Sequence, residues 1–182
     1  MKRVTLDLAY IALAAVIIAV CSWVSVPTAV PFTLQTFAVF FVLSFLGGKR
    51  GTAAILVYLL LGAIGVPVFS NFQGGAGALL GPTGGYLVGF LFIGLIHWLM
   101  VWLLKKKLWV EIVAFCLGIV VLYTFGTVWF MIVYARKSAA VGLFSALSWC
   151  VFPFIAPDLL KMTLALLLAR KMAAIRKSEK KK

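Results

Sequence analysis

The chain is a succession of apolar runs, each about 15 to 28 residues long, separated by short turns rich in glycine, proline or lysine. The runs are Leu6 to Val26, Phe32 to Gly47, Thr52 to Val66, Tyr86 to Leu104, Trp109 to Tyr134 and Val141 to Leu168. A bilayer's hydrocarbon core is about 30 Å thick and takes about 20 helical residues to cross, so this pattern predicts a bundle of membrane helices. Composition closes the soluble alternative. Of 182 residues 65% are hydrophobic and only 12% are charged, with a mean hydropathy of +1.17, whereas a soluble domain is about a quarter charged. No stretch is left over for a soluble catalytic domain. The second and third runs are only about 22 Å long as helices. They either extend into their flanking loops or sit in a thinned, protein-lined region.

Seventeen lysines and arginines give a net charge of +13. In a soluble protein that excess would point to nucleic acid. Here the basic residues lie in short clusters between apolar runs, which makes them topology signals facing anionic membrane lipid. With the N-terminus inside, Lys2-Arg3, Lys49-Arg50, Lys105-Lys106-Lys107 and the seven basic residues from Arg170 onward all fall inside. Only Arg136 and Lys137 fall outside. The expectation is an all-α integral membrane protein of six transmembrane helices in the cell membrane, with both termini cytoplasmic. Residues 1-182 are expected to form one transmembrane domain, with residues 170-182 a basic, frayed cytoplasmic tail. No signal peptide is expected, because the first run is long enough to stay as a span and lacks a small-residue cleavage site. Cys21, Cys116 and Cys150 stand alone in apolar runs and read as small packing residues.

Against this background Phe152-Pro153-Phe154-Ile155-Ala156-Pro157-Asp158-Leu159-Leu160-Lys161 stands out. Charge in hydrocarbon is costly, so a membrane helix that keeps an acid and an amine turns them inward and uses them. Asp158 and Lys161 are three apart and share a helical face. Pro153 and Pro157 interrupt the backbone ladder beside them. The pair either serves a ligand or only fixes helix packing. A second unusual stretch runs from Pro67 to Gly85, too glycine-rich for a span and too apolar for a water-exposed loop. It is expected to fold over a protein cavity, with Asn71 and Gln73 supplying uncharged donors and acceptors, or to form a cap without ligand. On the first helix Ala15 and Ala19, four apart, allow close helix approach, either within the protein or against another membrane subunit. In the predicted topology the glycine-rich stretch lies on the outer side and Asp158, about 18 Å along its helix from Arg170, at mid-depth or above, which suggests a capture site open outward.

Catalytic signatures are missing. Gly47-Gly48-Lys49-Arg50 lacks the spacing and the Ser/Thr of a phosphate-binding loop, and no HExxH occurs. His97, among Ile96, Trp98 and Leu99, reads as a packed or lipid-interface residue. Asp7, Glu111 and Glu179 belong at the cytoplasmic edge, so Asp158 has no second carboxylate for hydrolysis. An enzyme is not expected, nor is a cofactor or metal.

Three segments together, Pro31-Phe32-Thr33-Leu34-Gln35-Thr36, Tyr58-Leu59-Leu60-Leu61-Gly62-Ala63-Ile64-Gly65-Val66-Pro67-Val68-Phe69 and Gly81-Pro82-Thr83-Gly84-Gly85-Tyr86, resemble the BioY family. That family comprises the biotin-binding substrate-capture (S) components of energy-coupling factor transporters. The resemblance is densest over residues 27-90 and 152-165. It implies a six-helix S-component fold, a biotin site near the outer face, and partners: a transmembrane coupling subunit and ATPase subunits. The family's sixth-helix pattern, Pro-Gly-Asp-x-x-Lys, appears here as Ala156-Pro157-Asp158-Leu159-Leu160-Lys161, with proline in place of glycine. Asp158 and Lys161 are thereby assigned to biotin, whose ureido ring, thioether ring and valerate carboxylate suit a carboxylate, an ammonium and apolar walls. Asn71, Gln73 and Gln35 are candidates for its remaining polar atoms, and Tyr86, Trp149 and Phe152 for its walls. The resemblance also favours a docking role for Ala15 and Ala19 toward the coupling subunit. Competing readings are a related vitamin as ligand, a solitary facilitator without ATPases, and a membrane scaffold without ligand.

Overall fold

A computed structural model of the chain describes residues 2–26, 28, 30–136 and 141–179. Lys137 and Lys180 to Lys182, counted among the basic clusters above, lie outside them, as do Pro27 and Ala29.

The apolar runs are helical. α1 (Lys2–Trp23) leads into a two-stranded antiparallel ribbon, β1 (Ser25–Val26) and β2 (Phe32–Thr33), with Ser25 opposite Thr33 and Val26 opposite Phe32. α2 (Gln35–Leu46) and α3 (Gly48–Ala63) follow, with Gly47 as the whole turn between them. The glycine-rich stretch holds a 3-10 turn at Ser70–Phe72 and the short α4 (Ala76–Leu79). Then come α5 (Gly84–Leu104), α6 (Leu108–Ala135), α7 (Leu143–Cys150) and α8 (Phe152–Glu179). Among the described residues, four stretches are long and apolar enough to cross a membrane: Val4–Trp23, Gly84–Leu104, Leu108–Ala135 and Leu143–Ile175.

The short second run does not extend into its loops. α2 has 12 residues, about 18 Å, and from Gln35 to Ser44 only Phe37 escapes full burial. A helix apolar all round belongs inside a bundle, and α2 is packed between α1, α3, α5 and α8. Its partners hold it in place of lipid, so it has no need of full membrane length.

The sixth run is two helices, not one. The chain breaks at Val151 (φ −126°, ψ −59°), because the ring of Pro153 would clash with the carbonyl of Trp149 four residues back if the helix continued. Pro157 is accommodated inside α8, within the first two turns, where it leaves only the Pro153 carbonyl without its helical partner. At the other end α8 runs on to Glu179, past the limit expected for it. The basic tail is helical there because Ala173, Ala174 and the lysines and arginines are strong helix formers, and cations suit a helix C-terminus.

Ala15 and Ala19 are 2% and 5% exposed and belong to the core with Ala14 and Ile18. Their small size brings α1 close to α3 and α2. The face expected to dock a partner is thus spent on internal packing.

The 67–85 segment is tied to the end of α1. Ser22 Oγ donates to the Val68 carbonyl at 2.5 Å, Trp23 Nε1 donates to the Pro67 carbonyl at 2.9 Å, and Ser25 Oγ donates to Asn71 Oδ1 at 3.1 Å. Trp23 also stacks on Phe72 with centroids 5.1 Å apart. Phe69 is pushed inward, 1% exposed, against Gly62 of α3. A Cβ on Gly62 would fall 2.0 Å from the Phe69 ring, so only glycine seats that ring there.

Candidate ligand-binding site

A narrow cleft of about 60 Å³ opens at the end of the bundle carrying the β1–β2 ribbon and the 67–85 segment. Its walls are largely apolar, with Phe69, Leu87, Phe90, Leu122 and Phe154 among them, and its polar groups converge on Asp158 and Lys161.

The helical repeat of α8 explains why these two charges point inward. Phe154, Asp158, Lys161, Met162, Ala165 and Ala169 are all buried and recur at spacings of three and four, one stripe of a helix. Asp158 is 2% exposed and Lys161 6%. Lys161 Nζ donates to Asp158 Oδ1 at 3.0 Å and to Thr36 Oγ1 at 3.2 Å, while Thr36 Oγ1 donates to the same Oδ1 at 2.9 Å. Tyr123 OH of α6 donates to Oδ2 at 2.8 Å. The ammonium lies 4.1 Å from the centroid of the Phe32 ring, a cation–π contact. A carboxylate has about four lone-pair directions and an ammonium three protons. Among the described residues, one direction of Oδ2 and one proton of Nζ remain uncommitted, and both belong to groups lining the cleft.

Gln35 lines the cleft and donates through Nε2 to Tyr58 OH at 2.8 Å, which leaves its carbonyl oxygen available. Tyr86 lines it too, its hydroxyl 2.9 Å from Thr127 Oγ1. The Tyr86 ring rests on Gly126 of α6, where a Cβ would sit 2.3 Å from it. Gln73 reaches the rim. Asn71 does not: it is exposed and spends its side chain on Ser25. Trp149 and Phe152 do not line the cleft either, being 46% and 51% exposed. Trp149 lies edge-on to Tyr134 and Phe152 to Phe144, with centroids 6.4 Å and 6.2 Å apart. The turn at Val151 sets these residues off the inward stripe of α8. Tyr123, Ser70, Thr83 and Cys150 line the cleft and were not anticipated there. Thr36 carries a recognisable signal, as the last residue of a polar triplet opening an apolar run. Tyr123 carries none, since a tyrosine inside an apolar run looks like any packed aromatic.

A family model described as the BioY family matches residues 1–178. The chain belongs to the BioY family. A Thermotoga maritima protein named "Biotin transporter BioY" is 39% identical over 159 residues, 86% of this chain and 89% of that protein. A Lactococcus lactis protein named "Biotin transporter BioY2" is 44% identical over 127 residues, 68% of each. Among solved structures, the S component for biotin from an ECF-type ABC transporter superposes with a TM-score of 0.81 at 26% identity, over 95% of this chain and 93% of that one. This BioY chain thus has the S-component fold.

Proposed function

We propose that this BioY chain captures biotin in the cleft between α2, α6 and α8 and presents it for import, as the substrate-binding membrane subunit of an energy-coupling factor transporter. It carries out no chemistry on its ligand. The observation that carries the reading is the buried Asp158–Lys161 pair with one acceptor direction and one proton unspent at an otherwise apolar cleft. Biotin matches that inventory: ureido N–H donors for the carboxylate, a carbonyl or carboxylate for the ammonium, and a thioether ring for Phe69, Leu87 and Phe90. Relatives at 35–44% identity are named biotin transporters, which supports the same ligand here.

The topology we propose is six membrane helices with both termini cytoplasmic in the cell membrane, α2 and α3 serving as short inner spans. Its support is the charge distribution. Arg50 pairs with Asp7 at 2.8 Å, Lys106 donates to the Ser44 carbonyl at the C-terminal end of α2, and Arg170 approaches Glu111. These basic groups gather at the end of the bundle away from the cleft, as cytoplasmic ends do. The cleft then opens outward. The partners proposed are a transmembrane coupling subunit and ATPase subunits, since this chain has no nucleotide-binding sequence of its own.

The test is calorimetric titration of the detergent-purified chain with biotin and a panel of other small vitamins. Saturable one-to-one binding of biotin is expected. Binding of another vitamin in preference, or of none, overturns the reading.

A further inference from the structure

The three helices that floor the cleft also meet at their far ends. α2 carries Thr36 at the cleft and Ser44 at the other end, α6 carries Tyr123 and Glu111, and α8 carries Asp158 and Arg170. The separations along the helices are about 12 Å on α2 and about 18 Å on α6 and α8, at 1.5 Å per residue. At the far end Glu111, 1% exposed, is the hub. Its Oε1 accepts from Ser44 Oγ at 2.9 Å, with His97 Nε2 and Lys106 Nζ each 3.6 Å away, and its Oε2 lies 3.7 Å from Arg170 Nη2. His97 is fully buried, and neither ring nitrogen has a hydrogen-bond partner among the described residues. It stacks on Phe115 of α6 at 4.8 Å, and Phe115 packs on Phe40 of α2 at 4.9 Å.

A buried carboxylate held by a single neutral hydroxyl depends on the cations around it. Here those cations come from α8 and from the turn between α5 and α6, so the one charge draws four helices together. Nothing in ligand binding by itself requires an acid so far from the cleft. We infer that Glu111 is a positioning residue for the ligand cleft: by fastening the far ends of α2, α6 and α8 it sets the spacing at which Thr36, Tyr123 and Asp158 meet. Helices are stiff and packed interiors do not deform smoothly, so a splay at one end appears as a tilt at the other. Hydrogen bonds of 2.8–2.9 Å at the cleft weaken steeply with such a tilt.

The inference rests on biotin being the ligand, and the test separates the two. Biotin affinity is measured for the unaltered chain, Glu111→Gln, Tyr123→Phe and the double variant, beside thermal melting of each empty protein. Glu111→Gln keeps the shape and the acceptor for Ser44 and removes the charge. Its affinity is expected to fall about tenfold, in the range of coupling between distant sites. In the double variant the loss is expected to be smaller than the product of the two single losses, because both act on the same geometry. If the unaltered chain fails to bind biotin, the functional reading falls. If it binds and Glu111→Gln binds equally, or if the losses multiply, the positioning role is overturned. Should Glu111→Gln not fold, Arg170→Gln and Ser44→Ala each release one helix from the hub and carry the same expectation.

Discussion

Replacing Asp158 by alanine removes an acceptor shared by three donors, the hydroxyls of Thr36 and Tyr123 and the ammonium of Lys161. The hydroxyls can rotate toward other acceptors. The ammonium cannot escape, since Lys161 is 6% exposed and, among the described residues, keeps only the Thr36 hydroxyl and the Phe32 ring. Removing one member of a buried, hydrogen-bonded charge pair costs about 2–5 kcal/mol in binding, which is roughly 30-fold to several thousand-fold in Kd. The assay is calorimetric titration of detergent-purified protein with biotin, beside a thermal melt of the empty variant. Part of the loss will come from the fold, and Asp158→Ala with Lys161→Met isolates it. Removing both charges leaves no unpaired ion, so the double variant should be about 3–5 kcal/mol more stable than Asp158→Ala alone, yet it should bind biotin no better. Unchanged biotin affinity in Asp158→Ala would refute the reasoning, and so would recovery of affinity in the double variant.

Tyr123→Phe removes one hydrogen bond to the carboxylate and should destabilise the protein by about 1.5–3 kcal/mol, as expected for a bond to a charged group, read as a lowered melting temperature, with weaker biotin binding; unaltered titration would remove Tyr123 from the site. Gly126→Ala places a methyl where the Tyr86 ring lies and should destabilise the protein by about 1–3 kcal/mol, read as a lowered melting temperature, with weaker biotin binding; a silent substitution would contradict the packing described. Trp149→Ala and Phe152→Ala, on the outer face, should change biotin affinity by about twofold or less, and a large loss in either would move the cleft's wall. In a chain with Cys21 and Cys116 replaced by serine, a small thiol reagent should label Cys150 more slowly when biotin is present, because Cys150 lines the cleft; equal labelling rates would place the ligand elsewhere.

Much of the cleft is legible along the chain because charge contrasts so sharply with its surroundings. Asp158 and Lys161 interrupt an apolar run at helical spacing, and the inward stripe from Phe154 to Ala169 follows from that spacing. Gln35, Thr36 and Tyr86 are visible in the same way, as polar groups at the ends of apolar runs. Trp149 and Phe152 mislead because periodicity does not carry across a break, and the break at Val151 assigns Trp149 to another helix. Ala15 and Ala19 do mark a close helix approach, but a stripe of small residues carries no label for its partner, and here the partner is internal. Asn71 sits in a segment correctly read as covering a cavity, yet its side chain is spent on anchoring that cover to β1.

The far-end hub was within reach of simple arithmetic. α5 and α6 are joined by a three-residue turn, so residues roughly equidistant from it face one another across the hairpin. His97 and Phe115 are such a pair, as are Tyr86 and Thr127, and Glu111 lies one helical turn from Phe115. His97 reads as a lone packed residue only while the hairpin is left unfolded on paper. No such symmetry brings Ser44 or Arg170 to the same point, because α2 and α8 reach it through tertiary packing rather than a short turn.

The most direct test is a crystal structure of the chain grown with biotin. We expect the bicyclic ring system in the cleft, within hydrogen-bond distance of both Asp158 and Lys161, with the thioether ring against Phe69, Leu87 and Phe90. Biotin bound elsewhere, or a sealed Asp158–Lys161 seam with no ligand beside it, would contradict the capture site.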